Sequence, residues 1–354
     1  MDVDGTVDNT TVTNMHNFEG KTIILGAPKH FHLDHVIESE LQSLGFNTVN
    51  ISFYSDKFVY DSWLQRITCF MARNIVGMKD YKTRLKFDTN KDRMEDELAR
   101  IALADYALII RPDVYPIDFI KKLRSKTKKL IAYQWDGLDC YPNVYKCIGL
   151  FDRFFVFDGD DLGRQSVMPI TNYYLEAISA HMQYNEALQS DVFYTGSYAK
   201  ERIAVLGRLA QDLRQLGCNF RYHLKHKRKR YLESYDLWTT GQTLSYEENI
   251  RYAYNTNIIL DLVRPSHQGL SFRFFEAIRF GKKLITNNPK AKAYDFYHPN
   301  NIFIWDNNDI AELEAFVHKP YVPIPEEVKE KYSFQNWIRY ALDEGEYTRL
   351  SIPQ

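Results

Sequence analysis

The sequence predicts an α/β protein made of two successive halves, each a parallel sheet with helices on both faces. Three observations support this. The chain has 354 residues, more than a single domain usually holds. Short apolar runs alternate with helical patterns along most of it. A new series of such runs begins near residue 190, which indicates a second domain.

The N-terminal half is expected to span residues 21–175, after a flexible polar tail at residues 1–20 that lacks the apolar core of a signal peptide. A strand ending in Gly26, a helical pattern and a second strand form its opening. Its later strands are nearly continuous in apolar residues, as in parallel sheets covered on both faces. These strands are expected at residues 106–110, 130–135 and 153–157.

The C-terminal half is expected at residues 176–330. It opens with a strand at 191–196, followed by an amphipathic helix at 199–216 that Gly217 ends. Further strands are expected at residues 219–223, 257–263, 283–286 and 301–304. The remaining segment, 331–354, contains a helix for which packing back on the N-terminal half is one option.

The composition of the chain restricts the classes of partner and the cellular location that we expect. Hydrophobic residues make up 45% and charged residues 26% of the chain, as in ordinary globular proteins. The net charge of −1 argues against a nucleic-acid partner. The four cysteines form no CxxC pair, and no apolar run approaches the roughly 20 residues that span a bilayer. We therefore expect a soluble cytoplasmic protein, with the inner face of the membrane as a second possible location.

One basic block stands out from the otherwise balanced charge along the chain. Residues 223–230, from His223 to Arg230, read HLKHKRKR. Three interpretations stay open: a solvated surface, peripheral contact with an anionic membrane, and contact with the phosphates of a ligand.

The segment at residues 264–288, RPSHQGLSFRFFEAIRFGKKLITNN, is the most informative. A strand ends just before it, and Gly269 then precedes a helix. Glycine allows close approach of a ligand, and a helix start offers free N–H groups and partial positive charge, which suits a diphosphate. Arg273 and Glu276 share one face of this helix, where they could bind phosphate and the ribose hydroxyls. A surface Arg–Glu ion pair is the alternative.

The same segment carries a resemblance. Residues 268–288 and the run YDFYHPNNIFIWD at 294–306 resemble bacterial GT-B glycosyltransferases of lipopolysaccharide and capsule biosynthesis, related to CgeB-like proteins. The run at residues 132–162, which begins AYQWDGLDC, and FYTGSYAKER at 193–202 resemble the same proteins in the same order. Ser271-Phe272 departs from their commoner Thr-Met but keeps a hydroxyl.

This resemblance implies two Rossmann-like domains facing across a cleft. It also implies transfer of a hexosyl or related sugar from a nucleotide sugar to a glycan acceptor, of the surface-polysaccharide or lipopolysaccharide type, with no required cofactor. The implied donor-binding residues are Gly196, Ser197, Arg202, Gln268, Gly269, Arg273 and Glu276.

The N-terminal half of such an enzyme holds the acceptor, and an inverting mechanism needs a general base there. The loop after the first strand lies at the carboxyl edge of the sheet, where α/β proteins bind ligands. For each candidate base, the structural alternative is a role in a helix cap, a turn or an ion pair. The candidate bases are His30, His32 and Asp34 in this loop and Asp136 after a later strand, and Arg111 could contact an anionic acceptor.

Two other classes of protein compete with this prediction. The run HFHLDH at residues 30–35 matches a zinc-hydrolase pattern. However, few residues precede it, and no histidine occurs between His35 and His181. Asp158-Gly159-Asp160 is similar to a metal-binding DxD, but its position favours helix capping, so we expect no essential metal. A non-catalytic protein that keeps the glycosyltransferase shell is the other competitor, and the retained Arg273 and Glu276 argue against it.

Overall fold

The computed structural model describes residues 18–53, 59–74, 81–263, 269–306 and 309–353. In the N-terminal half, six parallel strands form a sheet of order β2-β1-β3-β4-β5-β6. The elements of this half are β1 (Thr22–Gly26), α1 (Leu33–Ser43), β2 (Asn47–Asn50), α2 (Trp63–Asn74), α3 (Tyr81–Ala99), β3 (Ala104–Ile110), α4 (Ile117–Ser125), β4 (Thr127–Gln134), β5 (Arg153–Val156) and β6 (Met168–Pro169).

A short helix, α5 (Glu176–Ala180), leads into the C-terminal half. There, five parallel strands have the order β13-β12-β11-β7-β8, and β9 and β10 form a separate antiparallel hairpin. Its elements are β7 (Ser190–Ser197), α6 (Lys200–Gln215), β8 (Phe220–Lys225), β9 (Arg230–Leu232), β10 (Leu237–Thr239), α7 (Tyr246–Tyr254), β11 (Thr256–Asp261), α8 (Phe272–Phe280), β12 (Lys283–Thr286), β13 (Ile302–Ile304) and α9 (Ile310–His318). Two helices, α10 (Glu326–Lys331) and α11 (Phe334–Leu342), follow it.

The apolar runs form the central strands for the expected reason. Leu108 to Ile110 in β3 and Leu130 to Tyr133 in β4 have no exposed surface, because helices cover both faces of the sheet. The β7 strand and its neighbours repeat this arrangement in the second half. Parallel strands need crossover connections, and the helices supply them.

The last helix connects the two halves. Trp337 on α11 is fully buried, and its indole N–H donates to the Thr171 carbonyl oxygen at 2.9 Å. Its ring also packs on Tyr133 of β4 and on Tyr173, with centroid distances of 5.2 and 4.7 Å. Arg153 of β5 donates to a carbonyl near the end of the same helix. The C-terminal helix therefore packs against the N-terminal sheet.

Two acidic side chains, the buried Glu40 and the half-buried Glu176, link the helices of this junction. Glu40 of α1 accepts a hydrogen bond from the Ile178 N–H at 3.2 Å, inside α5. Glu176, at the start of α5, accepts from the Phe334 and Gln335 N–H groups at 2.9 and 3.1 Å. Both side chains accept from N–H groups in the first turn of a helix, where these groups have no partner within the helix.

The described structure begins at the end of the predicted N-terminal tail. Residues 1–17 of the predicted tail lie outside the described residues, whereas Phe18 is buried and stacks on Phe46 at 4.3 Å. Across the part of the chain that the structure describes, no helix combines the length and apolar character needed to cross a bilayer.

Candidate functional site

The end of β11 and the start of α8 form a polar cluster at the carboxyl edge of the second sheet. Ser271 caps α8, and its hydroxyl donates to Oδ1 of Asp261 at 2.8 Å. Arg273 reaches the same Oδ1 at 3.3 Å and donates to the Thr195 carbonyl oxygen at 2.6 Å. The predicted phosphate ligand Arg273 is thus held against β11 and β7, with about a quarter of its side chain exposed.

Glu276 lies one turn further along α8 and is buried. Asn249 of α7 donates to its Oε2 at 3.4 Å, and the Tyr246 hydroxyl faces it without reaching hydrogen-bond geometry. Burial raises the pKa of Glu276 to about 7, although the positive charge of Arg273 opposes this rise. The carboxyl group can therefore exchange its proton near neutral pH.

Besides the Tyr246 hydroxyl, three buried polar atoms around Glu276 and Arg273 have no hydrogen-bond partner among the described residues. They are Oδ2 of Asp261, Oδ1 of Asn249 and Nε of Arg273. Buried polar atoms in folded proteins nearly always have a partner, so three in one cluster indicate a place where water or a ligand binds. Sequence analysis missed Asp261 and Asn249. An Asp that ends an apolar strand at the ligand-binding edge of a sheet was the available signal for the first.

Arg202 holds the turn between β7 and α6. It donates to the Ser197 carbonyl oxygen at 2.7 Å and to the Leu262 carbonyl oxygen at 3.1 Å, and so links the ends of β7 and β11. Gly196 is the second-to-last residue of β7, and an added Cβ there would be 2.4 Å from the Tyr194 hydroxyl. The structure thus brings Gly196, Ser197 and Arg202 to the same sheet edge as Arg273. The predicted Gln268 lies outside the described residues.

Gly269 lies at the contact between the two halves. A Cβ there would lie 2.4 Å from ring atoms of Phe157 and 2.7 Å from its carbonyl oxygen. Asn172 also donates to the carbonyl of the next residue, Leu270, at 2.8 Å. The close approach that the sequence predicted for a ligand is made here by Phe157 of the N-terminal half.

Replacing Gly269 by alanine is expected to lower the free energy of unfolding by about 1–3 kcal/mol, because the new methyl group overlaps backbone as well as ring atoms. Gly241→Ala is the matched control, since nothing lies within 4 Å of a Cβ at that position. Thermal unfolding of both variants measures the difference. Equal melting temperatures would show that Phe157 does not pack on Gly269 in solution.

The basic block wraps around the end of β7. In the parallel register, Lys225 lies beside Ser197, and its carbonyl oxygen accepts from the Tyr198 N–H at 2.7 Å. The Arg230 guanidinium lies 4.8 Å from the centre of the Tyr198 ring, and the His226 ring lies 5.2 Å from it. The side chains of His226 and Arg230 therefore lie next to the predicted donor-binding turn.

The candidate bases of the N-terminal half differ in accessibility. Asp34 has no exposed surface, and its Oδ2 lies 3.7 Å from Nε2 of His35 and 3.9 Å from the Lys29 ammonium. His32 is exposed and sits with Phe31 in the left-handed backbone region, with φ values of 59° and 56°. The Tyr246 N–H of the other half donates to the Phe31 carbonyl at 2.7 Å and fixes this unusual turn. Among the two, only His32 could reach a substrate in this conformation.

Asp136, a candidate base, forms an ion pair with Arg111. Its Oδ2 accepts from Arg111 at 2.6 Å, and Asp113 binds the same guanidinium through two bonds at 2.7 and 2.8 Å. Tyr141 stacks on the guanidinium at 3.8 Å. Arg111, considered as a contact for an anionic acceptor, is thus committed to two carboxylates and a ring.

A groove of about 1150 Å³ opens between α1, α5 and α7. Glu247 and Arg251 of α7 and Asn255, which follows this helix, line the groove together with His32 and His35. Asn249, which reaches Glu276, lies on the other face of α7. The groove therefore does not contain the polar cluster around Glu276.

The zinc-hydrolase interpretation has no ligand cluster to support it. Within the described ranges, no group of three or more His, Cys, Asp or Glu side chains is placed to hold a metal ion. The Asp158 carboxylate accepts from the Asp160 N–H at 3.1 Å, which is a capping role.

Comparison with solved structures identifies the architecture. The chain is similar to an alpha-glucosyltransferase solved in complex with UDP-glucose and DNA containing an abasic site. The TM-score is 0.53 and the identity 10%, over 92% of this chain and 95% of that one. A sucrose-phosphate synthase from Thermosynechococcus elongatus has a TM-score of 0.51 and 10% identity, over 89% and 96% of the two chains. The structure titled OtsA apo structure has the same score and identity, over 92% and 100%.

The fold is GT-B. The two parallel sheets and these likenesses confirm the predicted fold class of two Rossmann-like domains. No family model and no curated protein matches the sequence. At 10% identity the likenesses establish the GT-B fold alone, so the activity has to be argued from the site.

Proposed function

We propose that this protein is a glycosyltransferase that takes a sugar from a nucleotide-sugar donor bound by its C-terminal half. The observation that carries the proposal is the cluster of buried polar atoms without partners between β11, α7 and α8. A ribose offers hydroxyl groups that both donate and accept hydrogen bonds, and these would supply the partners that the buried polar atoms lack. Glu276, ionised in part near pH 7, would accept from the hydroxyls.

The diphosphate belongs at the sheet edge beside this cluster. The first turn of α8 and the turn after β7 offer backbone N–H groups there. Arg230 and His226 pack against the Tyr198 ring, which favours the phosphate-contact interpretation of the basic block. Positive charge at this place stabilises the leaving diphosphate as the glycosidic bond breaks.

The acceptor would bind against the N-terminal half. His32 is the exposed candidate for a general base, and its role stays a prediction. Since Gly269 packs under Phe157, the two halves already touch beside the donor site, and this contact would exclude water from the reaction. The sequence resemblance supports a surface-polysaccharide or lipopolysaccharide acceptor and a hexosyl or related donor sugar.

Thermal stability against a panel of nucleoside diphosphates and nucleotide sugars, with and without EDTA, tests the proposal. A ligand that binds only the native state raises the melting temperature. At a free ligand concentration of 100 times Kd, it raises the free energy of unfolding by about 2.7 kcal/mol. Glu276→Gln should weaken binding of the stabilising nucleotide about tenfold or more, because the amide replaces one of the two acceptor oxygens by an NH2 donor. Isothermal titration measures that change.

Glu247→Gln is the matched control, because Glu247 lies on α7 but lines the groove on its other face. If Glu247→Gln weakens nucleotide binding and Glu276→Gln does not, the donor binds in the groove and the proposed site is wrong. If no nucleotide stabilises the protein and EDTA destabilises it, the zinc-hydrolase alternative is favoured. Nucleotide binding without hydrolysis or transfer in the presence of any glycan acceptor favours the non-catalytic alternative.

A further inference from the structure

We propose that Tyr246 is a positioning residue, which couples the binding of the donor nucleotide to the conformation of the turn that carries His32. The inference rests on the proposed function, because it takes the ligand beside Glu276 to be the donor. Tyr246 is the first residue of α7. Its side chain faces Glu276 in the C-terminal half, and its backbone N–H donates to a carbonyl of the N-terminal half.

The backbone of Tyr246 holds a strained turn. Phe31 and His32 both lie in the left-handed region, with φ values of 56° and 59°, which residues other than glycine keep only where the surrounding structure holds them. Packing of the two side chains supplies little of that restraint, because Phe31 is 52% exposed and His32 is exposed as well. Within the N-terminal half, the Leu33 N–H closes the turn on the His30 carbonyl oxygen at 3.0 Å. From the other half, the Tyr246 N–H holds it through the Phe31 carbonyl oxygen at 2.7 Å.

The hydroxyl of Tyr246 lies beside the proposed ribose site. The residue is 7% exposed, and its hydroxyl oxygen has no hydrogen-bond partner among the described residues. The ring packs edge-on against Phe272 at the start of α8, with a centroid distance of 6.2 Å. Burial raises the pKa of Tyr246 well above its ordinary value, so the hydroxyl stays protonated and able to donate. A ribose hydroxyl bound at Glu276 would give this buried group the partner that buried polar groups normally have.

The two contacts of Tyr246 act through one residue. A nucleotide bound at Glu276 restrains the Tyr246 side chain through its hydroxyl. The start of α7 is itself fixed by the capping box of Ser245 and Glu248, so a restrained side chain also restrains the direction of the Tyr246 N–H. The left-handed turn then keeps its hydrogen bond for more of the time, and His32 keeps its position. Because coupling between two sites is reciprocal, an ordered turn also favours nucleotide binding.

Hydrogen–deuterium exchange of the full chain, measured by mass spectrometry, tests this coupling with UDP, CDP, GDP and ADP as probes. Residues 271–276, at the start of α8, report nucleotide binding, and residues 30–36 report the turn. We expect one of these nucleotides to slow exchange in both segments, in residues 30–36 by about tenfold, which lies within the usual range of coupling between two sites. At a concentration that saturates the effect on residues 271–276, Tyr246→Phe should keep that protection and lose most of the protection of residues 30–36.

Tyr252→Phe is the matched control. It removes a hydroxyl from the same helix and keeps a ring that stacks on Phe193 at 5.0 Å, so both segments should be protected as in the unmodified chain. Tyr246→Phe removes a hydroxyl that has no partner among the described residues, so its melting temperature without nucleotide should stay close to that of the unmodified chain.

The outcomes separate this coupling from the proposed donor site. If a nucleotide protects residues 271–276 but not residues 30–36, the donor site stands and the coupling is wrong. The coupling is also overturned if Tyr246→Phe protects both segments, since the hydroxyl is then not the link. If Tyr246→Phe binds no nucleotide at any concentration, the hydroxyl is a donor ligand and the positioning role is wrong. If none of the four nucleotides protects residues 271–276 of the unmodified chain, the proposed donor site fails and the coupling fails with it.

Discussion

Replacing Trp337 by alanine is expected to lower the free energy of unfolding by about 3–5 kcal/mol. The side chain has no exposed surface and packs on Tyr133, Tyr173 and Phe334. Alanine leaves a cavity among these rings and removes the hydrogen bond to the Thr171 carbonyl oxygen. The loss falls at the junction of the two halves, so it should affect the unfolding of the whole chain.

Urea unfolding followed by circular dichroism measures this change. Trp63→Ala is the matched control, because Trp63 is 70% exposed and its loss should change stability by less than about 0.5 kcal/mol. If Trp337→Ala is no less stable than Trp63→Ala, α11 does not pack on the N-terminal sheet in solution.

Replacing Glu40 by glutamine is expected to flatten the pH dependence of stability between pH 5 and pH 8. Burial, with the nearby Glu176 carboxylate, raises the pKa of Glu40 from 4.5 to about 8 in the folded protein. The folded state therefore binds a proton that the unfolded state has released in this range. The stability from this group is fully present below pH 4.5 and is lost as the pH rises toward and through 8.

Glutamine keeps an oxygen that can accept from the Ile178 N–H but carries no charge at any pH. Between pH 5 and pH 8 the variant should lose about 2–3 kcal/mol less stability than the unmodified chain. Glu327→Gln, an exposed position in α10, is the control and should keep the original slope. Urea unfolding at several pH values measures the slopes. Identical slopes for Glu40→Gln and the unmodified chain would contradict a protonated Glu40.

The fold class could be predicted because its signals are local. A run such as TIILG or KLIT is apolar on both faces, and a strand of that kind is stable only between two layers of helices. The hairpin β9–β10 and the short helix α5 gave no such signal. Both are too short for a periodicity, and their positions depend on contacts with distant residues.

The candidate site could be predicted only in part. The glycine before α8 and the spacing of Arg273 and Glu276 are visible in the sequence. What surrounds them is not, because Asp261, Thr195 and Asn249 come from separate strands and helices. The candidate bases differ for the same reason: the burial of Asp34 and the ion pair of Asp136 with Arg111 depend on the folded chain.

By itself, the sequence determined two parallel α/β halves and predicted a helix start suited to phosphate, because apolar periodicity and glycine positions act over a few residues. The tertiary structure decided what Gly269 packs against, which acids are buried, and which side chains stay exposed on α2. Burial and pairing are properties of surfaces that meet only when the chain has folded. They set the pKa of Glu276 and Glu40, and with it the chemistry available to the site.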